Sequence, residues 1–150
     1  MSSVQQINRS QIVGETAAVD LVLAYLKDGL DPSAVTLPVR AERARDYMRQ
    51  QLEGLLYDAV LADPSFSLHR RAVMGPAGRE WLRAAPMSGD VAEAVLELAR
   101  DGGDAAFRRM SDDEVTMVLA LSTAARGVAV WGVAGTIERL QRSRAVVSRP

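Results

Sequence analysis

Few side chains in this sequence could act as a nucleophile, a general base or a metal ligand. The chain has no cysteine, which excludes disulfides, thiolate catalysis and cysteine-ligated zinc or iron–sulfur sites. The single histidine, His69, excludes a multi-histidine metal site within one chain. Three successive acids, Asp112, Asp113 and Glu114, could bind a hard cation, but they equally fit the first turn of a helix. These residues predict no cofactor, no metal and no catalytic residue, although an enzyme using only Arg, Asp and Glu stays an alternative.

The segment His69-Arg70-Arg71 is the one place in the sequence where a titratable base meets a local excess of positive charge. Histidine can transfer protons near neutral pH, and arginine can bind phosphate. No serine or cysteine nucleophile motif accompanies the segment, and a lone histidine beside arginines is more often incidental. The surrounding stretch, 65–75, is predicted to be an ordered loop or a short helix.

Arginine dominates the basic residues of the chain. There are 17 Arg and one Lys, which together with abundant Ala, Val and Gly is typical of GC-rich coding and predicts a bacterial, phage or plasmid origin. The formal net charge is -1, so the molecule as a whole has no field that attracts nucleic acid or an anionic membrane. Such binding would need local clusters. The candidate nucleic-acid contacts are Arg40, Arg43, His69, Arg70, Arg71, Arg139, Arg142 and Arg144.

Both main arginine clusters also have an explanation that involves no nucleic acid. Around Arg40 and Arg43, the acids Glu42 and Asp46 lie among the arginines, which is typical of a solvated helix face with ion pairs. Toward the C-terminal end, positive charge at the end of a helix is favourable through the helix dipole. No aromatic side chains are interleaved there to stack bases, which counts against single-stranded nucleic acid.

Small residues recur along one face of the last predicted helix. Each glycine inside a helix costs about 1 kcal/mol relative to alanine, so a close packing contact should offset it. That contact is either with another helix of the same chain or with a second copy, as the seam of a homodimer. A kink at Gly132 to Gly135 is compatible with both. The candidate interface residues are Ala125, Val128, Ala129, Gly132 and Gly135.

The stretch from Val115 to Ile137 is long and apolar enough to resemble a membrane span. Arg126 lies at its centre, where a charge in lipid costs about 2.5–3.5 kcal/mol, and glycines interrupt it. The stretch is therefore predicted to be a core helix. Arg126 is expected to emerge at the helix surface, and the alternative is a pair with an acid from another helix. The N-terminal residues lack the pattern of a signal peptide, so the predicted location is the cytoplasm, without membrane contact.

Helical periodicity, capping-box pairs and prolines divide the chain into elements. Apolar residues recur at three- and four-residue steps, and Ser111 with Glu114 makes the clearest capping box. Asn8 with Gln11 has the same spacing ahead of the first apolar run. The predicted helices run from Asn8 or Ser10 to Asp28, from Pro38 to about Ala62, from Pro76 to Ala85, from Asp90 to the stop at Asp101-Gly102-Gly103, and from Ser111 to about Ser143.

The fold class predicted from these elements is all-α. No β-hairpin signal and no internal repeat is present in the sequence. A chain of 150 residues has the size of one domain, so we expect a single helical domain over 1–150. We expect a bundle of five or six helices in which the C-terminal helix is the longest and most buried. Residues 1–9 and 144–150 are predicted to be flexible ends.

These observations favour a non-enzymatic protein that works through helical surfaces. No segment combines a tight turn with a short polar recognition helix, as a helix-turn-helix requires. The sequence therefore predicts a protein-interaction module of adaptor or accessory type, acting with a protein partner or as a homodimer. The alternative is a nucleic-acid-binding regulator that uses the arginine clusters of the second helix and the C-terminal end.

Overall fold

The computed structural model describes residues 3–28, 42–62, 76–84, 94–95 and 107–147. Over these ranges the chain forms helices and turns and no strand, which confirms the all-α prediction. Four helices are found there rather than five or six. The helix predicted from Asp90 falls mostly outside the described residues, and only its Ala94 and Val95 are seen, helical and buried. The four helices are α1 (Ser3–Asp28), α2 (Glu42–Ala62), α3 (Pro76–Ala84) and α4 (Asp112–Val147).

Three helix boundaries agree with the sequence prediction, and the predicted start of the second helix at Pro38 lies outside the described residues. α1 ends at Asp28, α2 ends at Ala62, and α3 begins at Pro76. The predicted start of α1 is wrong, because the helix already begins at Ser3. The spacing of Asn8 and Gln11 also occurs inside helices, and here the Gln11 side chain donates a hydrogen bond of 3.0 Å to Glu15, one turn later.

Residues 3–9 and 144–147, which were predicted to belong to flexible ends, are helical in the structure. At the other end of the chain, α4 continues to Val147 rather than stopping near Ser143. Arg144 and Asp20 account for part of this extension, because an ion pair of 2.7 Å joins the last turns of α4 to α1. The predicted loop over 65–75 lies outside the described residues.

The core is built where α1, α2 and α4 pack against one another. α1 contacts both α2 and α4, α2 contacts α4, and α3 contacts α4. Val22, Leu52 and Leu121, one from each of the three long helices, are completely buried. Burying a side chain of this size contributes about 1.5–3 kcal/mol. The sequence placed these apolar residues on inward faces, and the structure shows one shared cluster.

The cap of α4 forms as the sequence predicts. The Glu114 backbone N–H donates to Ser111 Oγ at 3.2 Å, and the Ser111 backbone N–H donates to Glu114 Oε1 at 3.3 Å. Two backbone donors at the helix start are satisfied by this reciprocal pair. Asp113 has a second role, because its carboxylate accepts a hydrogen bond of 2.9 Å from Arg45 of α2. The acids at this helix start therefore serve capping and helix–helix contact.

α1 and α2 approach so closely at Gly14 that no side chain fits between them. A Cβ built on Gly14 would overlap the Ala44 carbonyl oxygen and would lie 2.9 Å from the Met48 backbone nitrogen. Gly54 on α2 differs, because a Cβ built there meets nothing within 4 Å. Gly14 is therefore required for the packing of α1 on α2, whereas Gly54 only lowers the helix stability of α2.

This contrast predicts opposite effects of one substitution at two glycines. Gly14→Ala should destabilise the protein by about 1–3 kcal/mol, because the helix backbones must separate. Gly54→Ala should stabilise it by about 0.5–1 kcal/mol, because alanine favours the helix and meets open space. Urea denaturation followed by circular dichroism measures both free energies of unfolding. A Gly14→Ala variant that is not destabilised would contradict the close approach at Gly14, and a destabilised Gly54→Ala variant would contradict the open space at Gly54.

Candidate interaction groove

α4 consists of two helical arms that meet at Gly132. This glycine has φ 74° and ψ 172°, a region that is essentially reserved for glycine. We call 112–131 the long arm and 133–147 the short arm. The sequence predicted one helix and was compatible with a kink at Gly132 to Gly135, and the structure has a complete break at Gly132. The remaining residues of α4 are helical, so one residue changes the direction of the chain.

The short arm folds back on the long arm. Gly127 and Thr136 would lie about 13 Å apart along a continuous helix. In the structure, a Cβ built on Gly127 would lie only 2.6 Å from Thr136 Cγ2. The Thr136 hydroxyl donates a hydrogen bond of 2.6 Å to the Gly132 carbonyl oxygen. Gly127 is therefore needed for close contact between the arms, and Gly132 is needed for the turn.

Three further contacts hold the short arm on the rest of the protein. Leu140 is buried in the core cluster. The Arg139 guanidinium carbon lies 4.2 Å from the centroid of a ring of Trp131, which is a cation–π contact. Arg144 donates from Nε to the Asp20 carboxylate at 2.7 Å. The hydrogen bond to Asp20, and then its negative charge, raises the pKa of Arg144, so this arginine stays positively charged at every working pH.

A groove of about 350 Å³ lies between α2 and the two arms. Its apolar lining includes Leu55 and Ala59 of α2 and Leu140 of the short arm. The charged groups are Asp58 on one side and Arg139 and Arg142 on the other. A partly apolar cleft with a polar rim is suited to contact with another molecule.

The Thr123 hydroxyl, which also lines the groove, joins α4 to α2. Its Oγ1 atom lies 2.7 Å from the Leu119 carbonyl oxygen and 3.4 Å from the Leu52 carbonyl oxygen. The first contact lies within the helix, and the second reaches across to α2. The hydroxyl is buried and committed to backbone carbonyls, so it acts as a structural group rather than as a nucleophile.

The predicted interface residues do not form one exposed face. Ala125 and Val128 are buried in the core. Ala129 and Gly135 are half-buried, and a Cβ built on Gly135 would lie 3.1 Å from the Trp131 Cβ. Gly132 is exposed at the turn. Part of this small-residue surface serves packing within the chain, and its use in a homodimer stays a prediction.

The predicted nucleic-acid contacts are only partly described by the structure. Arg40, His69, Arg70 and Arg71 lie outside the described residues. The side chains of Arg43, Arg139, Arg142 and Arg144 are exposed. Three of these four have partners within the chain, since Arg139 covers Trp131, Arg142 pairs with Glu138, and Arg144 pairs with Asp20.

The α2 arginines also pair with acids, as the mixed charges of that helix suggested. Arg49 contacts Glu53 at 3.4 Å, one turn later on α2, and Arg45 contacts Asp113 of α4 at 2.9 Å. Ion pairs of this kind reduce the positive field that a phosphate backbone would meet. The described part of α2 therefore presents a mixed rather than a purely basic surface.

Arg126 does not emerge at the surface, and that expectation is wrong. The residue is 5% exposed, and its side chain is engaged rather than free. Helical periodicity placed Arg126 away from the main apolar face, but α1, α2 and α3 all pack on α4 and enclose the helix. The same packing bears on the membrane question. Among the described helices only α4 is long and apolar enough to span a membrane, and 61% of its most apolar window is buried inside the protein.

Two exposed apolar side chains on α2 carry no signal in the sequence that marks them as a site. Tyr57 is 61% exposed and Leu61 is 48% exposed. They are one helical turn apart, and therefore adjacent on one face. We call this pair the α2 strip. Asp58 and Ala62, which follow them directly in the chain, line the groove, so the strip lies beside its rim.

The described residues contain no cluster of three or more His, Asp or Glu side chains that could hold a metal ion. Comparison with known proteins gives no relationship to build on: no family model, no curated protein and no solved structure matches the chain. The geometry of the groove and the α2 strip is therefore the basis for assigning a function.

The contact between the arms predicts a rescue experiment. Gly127→Ala should destabilise the protein by about 1–3 kcal/mol, because the new methyl group collides with Thr136 Cγ2. Adding Thr136→Ser should recover part of that loss, because serine lacks this methyl group but keeps the hydroxyl, whose oxygen lies 3.0 Å from the new Cβ. A double-mutant cycle from urea denaturation measures the coupling. Strictly additive effects would show that the two residues are not in contact.

Proposed function

We propose that this chain is a non-enzymatic helical interaction module, of adaptor or accessory type, that works as a homodimer. The α2 strip is the observation that carries the proposal. Tyr57 and Leu61 are large apolar side chains on a helix whose opposite face is already buried in the core. Tyrosine combines large contact area with low conformational entropy, which suits it to protein interfaces.

A second copy is the partner that this surface fits best. In a two-fold symmetric dimer the same patch meets itself, so an apolar pair on one helix can pack on the identical pair of an antiparallel copy. The formal net charge of -1 means that two copies repel each other only weakly at long range. The groove beside the strip would extend the contact beyond two side chains and supply a polar rim.

The wider setting belongs to the same proposal. We place the module in the cytoplasm of a GC-rich bacterium, or on a phage or plasmid of such a host, without membrane contact. The complete domain would be a bundle of five or six helices around α4. This part of the proposal is supported by the composition of the chain, the helical packing of the described residues, and the burial of the apolar part of α4.

Nucleic-acid binding is the alternative proposal, and one observation favours it. Trp131 lies beside Arg139 in the groove, with Arg142 on the same rim, so an aromatic ring and arginines are neighbours after all. Stacking of bases on aromatic rings and arginine contacts to phosphate are how single strands are bound. The pairing of Arg142 with Glu138 and of Arg144 with Asp20 works against it, which places this function second.

The dimer is tested by measuring mass in solution. Size-exclusion chromatography with light scattering should give the mass of two chains for the wild type. Replacing both strip residues, Tyr57→Glu and Leu61→Glu, should give the mass of one chain, because charges would be buried at the seam. Val146→Glu is the matched control, since Val146 is 68% exposed on the short arm and should leave the mass at two. A strip variant that keeps the two-chain mass would refute the assignment of the surface.

The alternative is tested on the same samples by absorbance at the nucleic-acid wavelength and by salt titration. If nucleic acid binds, the double variant Arg142→Ala with Arg144→Ala should bind more weakly and with a flatter salt dependence. With fewer phosphate contacts, binding releases fewer counterions. Arg83→Ala, an exposed arginine of α3, is the control and should change neither. A protein-like absorbance ratio at low salt would leave the protein-interaction proposal in first place.

A further inference from the structure

We propose that α4 opens at Gly132 and that two copies of the chain exchange their short arms. In the open form α4 is one continuous helix, and residues 133–147 of each copy pack on the body of the other copy in the place that its own short arm occupies in the closed form. This goes beyond the dimer through the α2 strip, because it names a different contact and a different structural change. The occupant of the exchanged site is a second copy of this chain.

The hinge consists of a single residue. Gly132 is the one position in Asp112–Val147 with non-helical backbone angles. A Cβ built on it would meet nothing within 4 Å, so the space around this residue is open. Because glycine also adopts helical angles, rotation about the two backbone torsions of this residue is enough to align the arms.

Opening the turn restores backbone hydrogen bonds that the break removes. At a helix break, the last carbonyl groups of one arm and the first N–H groups of the next have no partner in the i to i-4 ladder. The bond from the Thr136 hydroxyl to the Gly132 carbonyl spans four residues at the start of the short arm, so opening the turn does not remove it. In a continuous helix the ladder would run through this region, so the open form is not strained by its own backbone.

A second copy can remake the interactions that opening breaks. Leu140 packs in the core, and Arg144 pairs with Asp20 of α1. Both connect the short arm to parts of the chain that stay in place when the hinge opens. An identical arm from another copy presents the same side chains at the same sites, which is why exchange of an element is an inexpensive route to a dimer.

The region around the hinge suits the new contact that exchange creates. Two continuous helices related by a two-fold axis would cross near Gly132. There the exposed surface is small or apolar, with Gly132 and Val133 exposed and Ala129 half-exposed. Small side chains let two helices approach closely at such a crossing. The small-residue surface that the sequence associates with self-association would find a partner in this form.

The first experiment replaces the hinge in a chain that cannot use the strip. In the background Tyr57→Glu with Leu61→Glu, Gly132→Ala disfavours the closed turn, because alanine rarely adopts its φ, and favours the continuous helix. The dissociation constant of the dimer, from light scattering over a concentration series, should fall roughly tenfold or more. The Gly54→Ala variant of the same background is the control and should stay a single chain. A Gly132→Ala chain that folds but keeps the one-chain mass at every concentration would overturn the proposal.

The second experiment tests which contact the dimer uses. Two Gly132→Ala chains of the strip-free background are made, one with Asp20→Arg and one with Arg144→Asp. In a closed chain, and in an exchanged dimer of two identical chains, each substitution places like charges at the contact between residues 20 and 144. Only the mixed exchanged dimer restores opposite charges, and it does so at both of its sites. The substituted residue 20 of one chain meets the substituted residue 144 of the other, and the unchanged Asp20 meets the unchanged Arg144. Native mass spectrometry of the mixture should show mixed dimers above the statistical half.

A purely statistical mixture would show that the dimer does not exchange the short arm and would overturn the inference. That result would not bear on the dimer through the α2 strip, because the strip variants are tested in chains that keep Gly132. Conversely, mixed dimers in the strip-free background support exchange even if the strip plays no part.

Discussion

From Val115 to Val128, every residue of α4 except Met117 is buried, and the rest of the described structure is arranged to achieve that. One neighbour can cover only one side of a helix, so complete burial requires α1, α2 and α3 to contact α4 together. α1 and α2 also contact each other, and their backbones approach closely at Gly14. Arg126 is enclosed by the same arrangement despite its charge. The helices that bury this segment are therefore also the ones that require glycine where they meet.

The features that could be predicted from the sequence are those determined by neighbours along the chain. Ser111 and Glu114 form their box because both partners lie in the same turn. Arg49 and Glu53 pair for the same reason. Asn8 and Gln11 have the same spacing as Ser111 and Glu114, but they lie inside α1. A pair of residues does not show whether the residues before it are also helical. Local patterns give the kind of structure and, less securely, its limits.

The features that could not be predicted depend on residues far apart in the chain. Glycines indicated a kink near Gly132, but the sign of φ follows from the packing of Thr136 and Leu140 against the body. Tyr57 and its neighbour Leu56 are both large and apolar, so residue type alone could not show that Tyr57 is exposed while Leu56 is partly buried. The groove likewise requires α2 and the short arm to meet, and nothing in either segment alone implies the other.

The ion pair between Asp20 and Arg144 also has a consequence for how the protein is made. The two residues are separated by 124 positions, so their contact closes a loop that spans most of the chain. During synthesis α1, α2 and the long arm leave the ribosome before the short arm does, and domains tend to fold from the N-terminal side as they emerge. Until residues 133–147 arrive, the surface of these helices on which the short arm packs stays uncovered. The time needed to make and release the last residues would then set how long this surface is exposed to chaperones and to neighbouring chains.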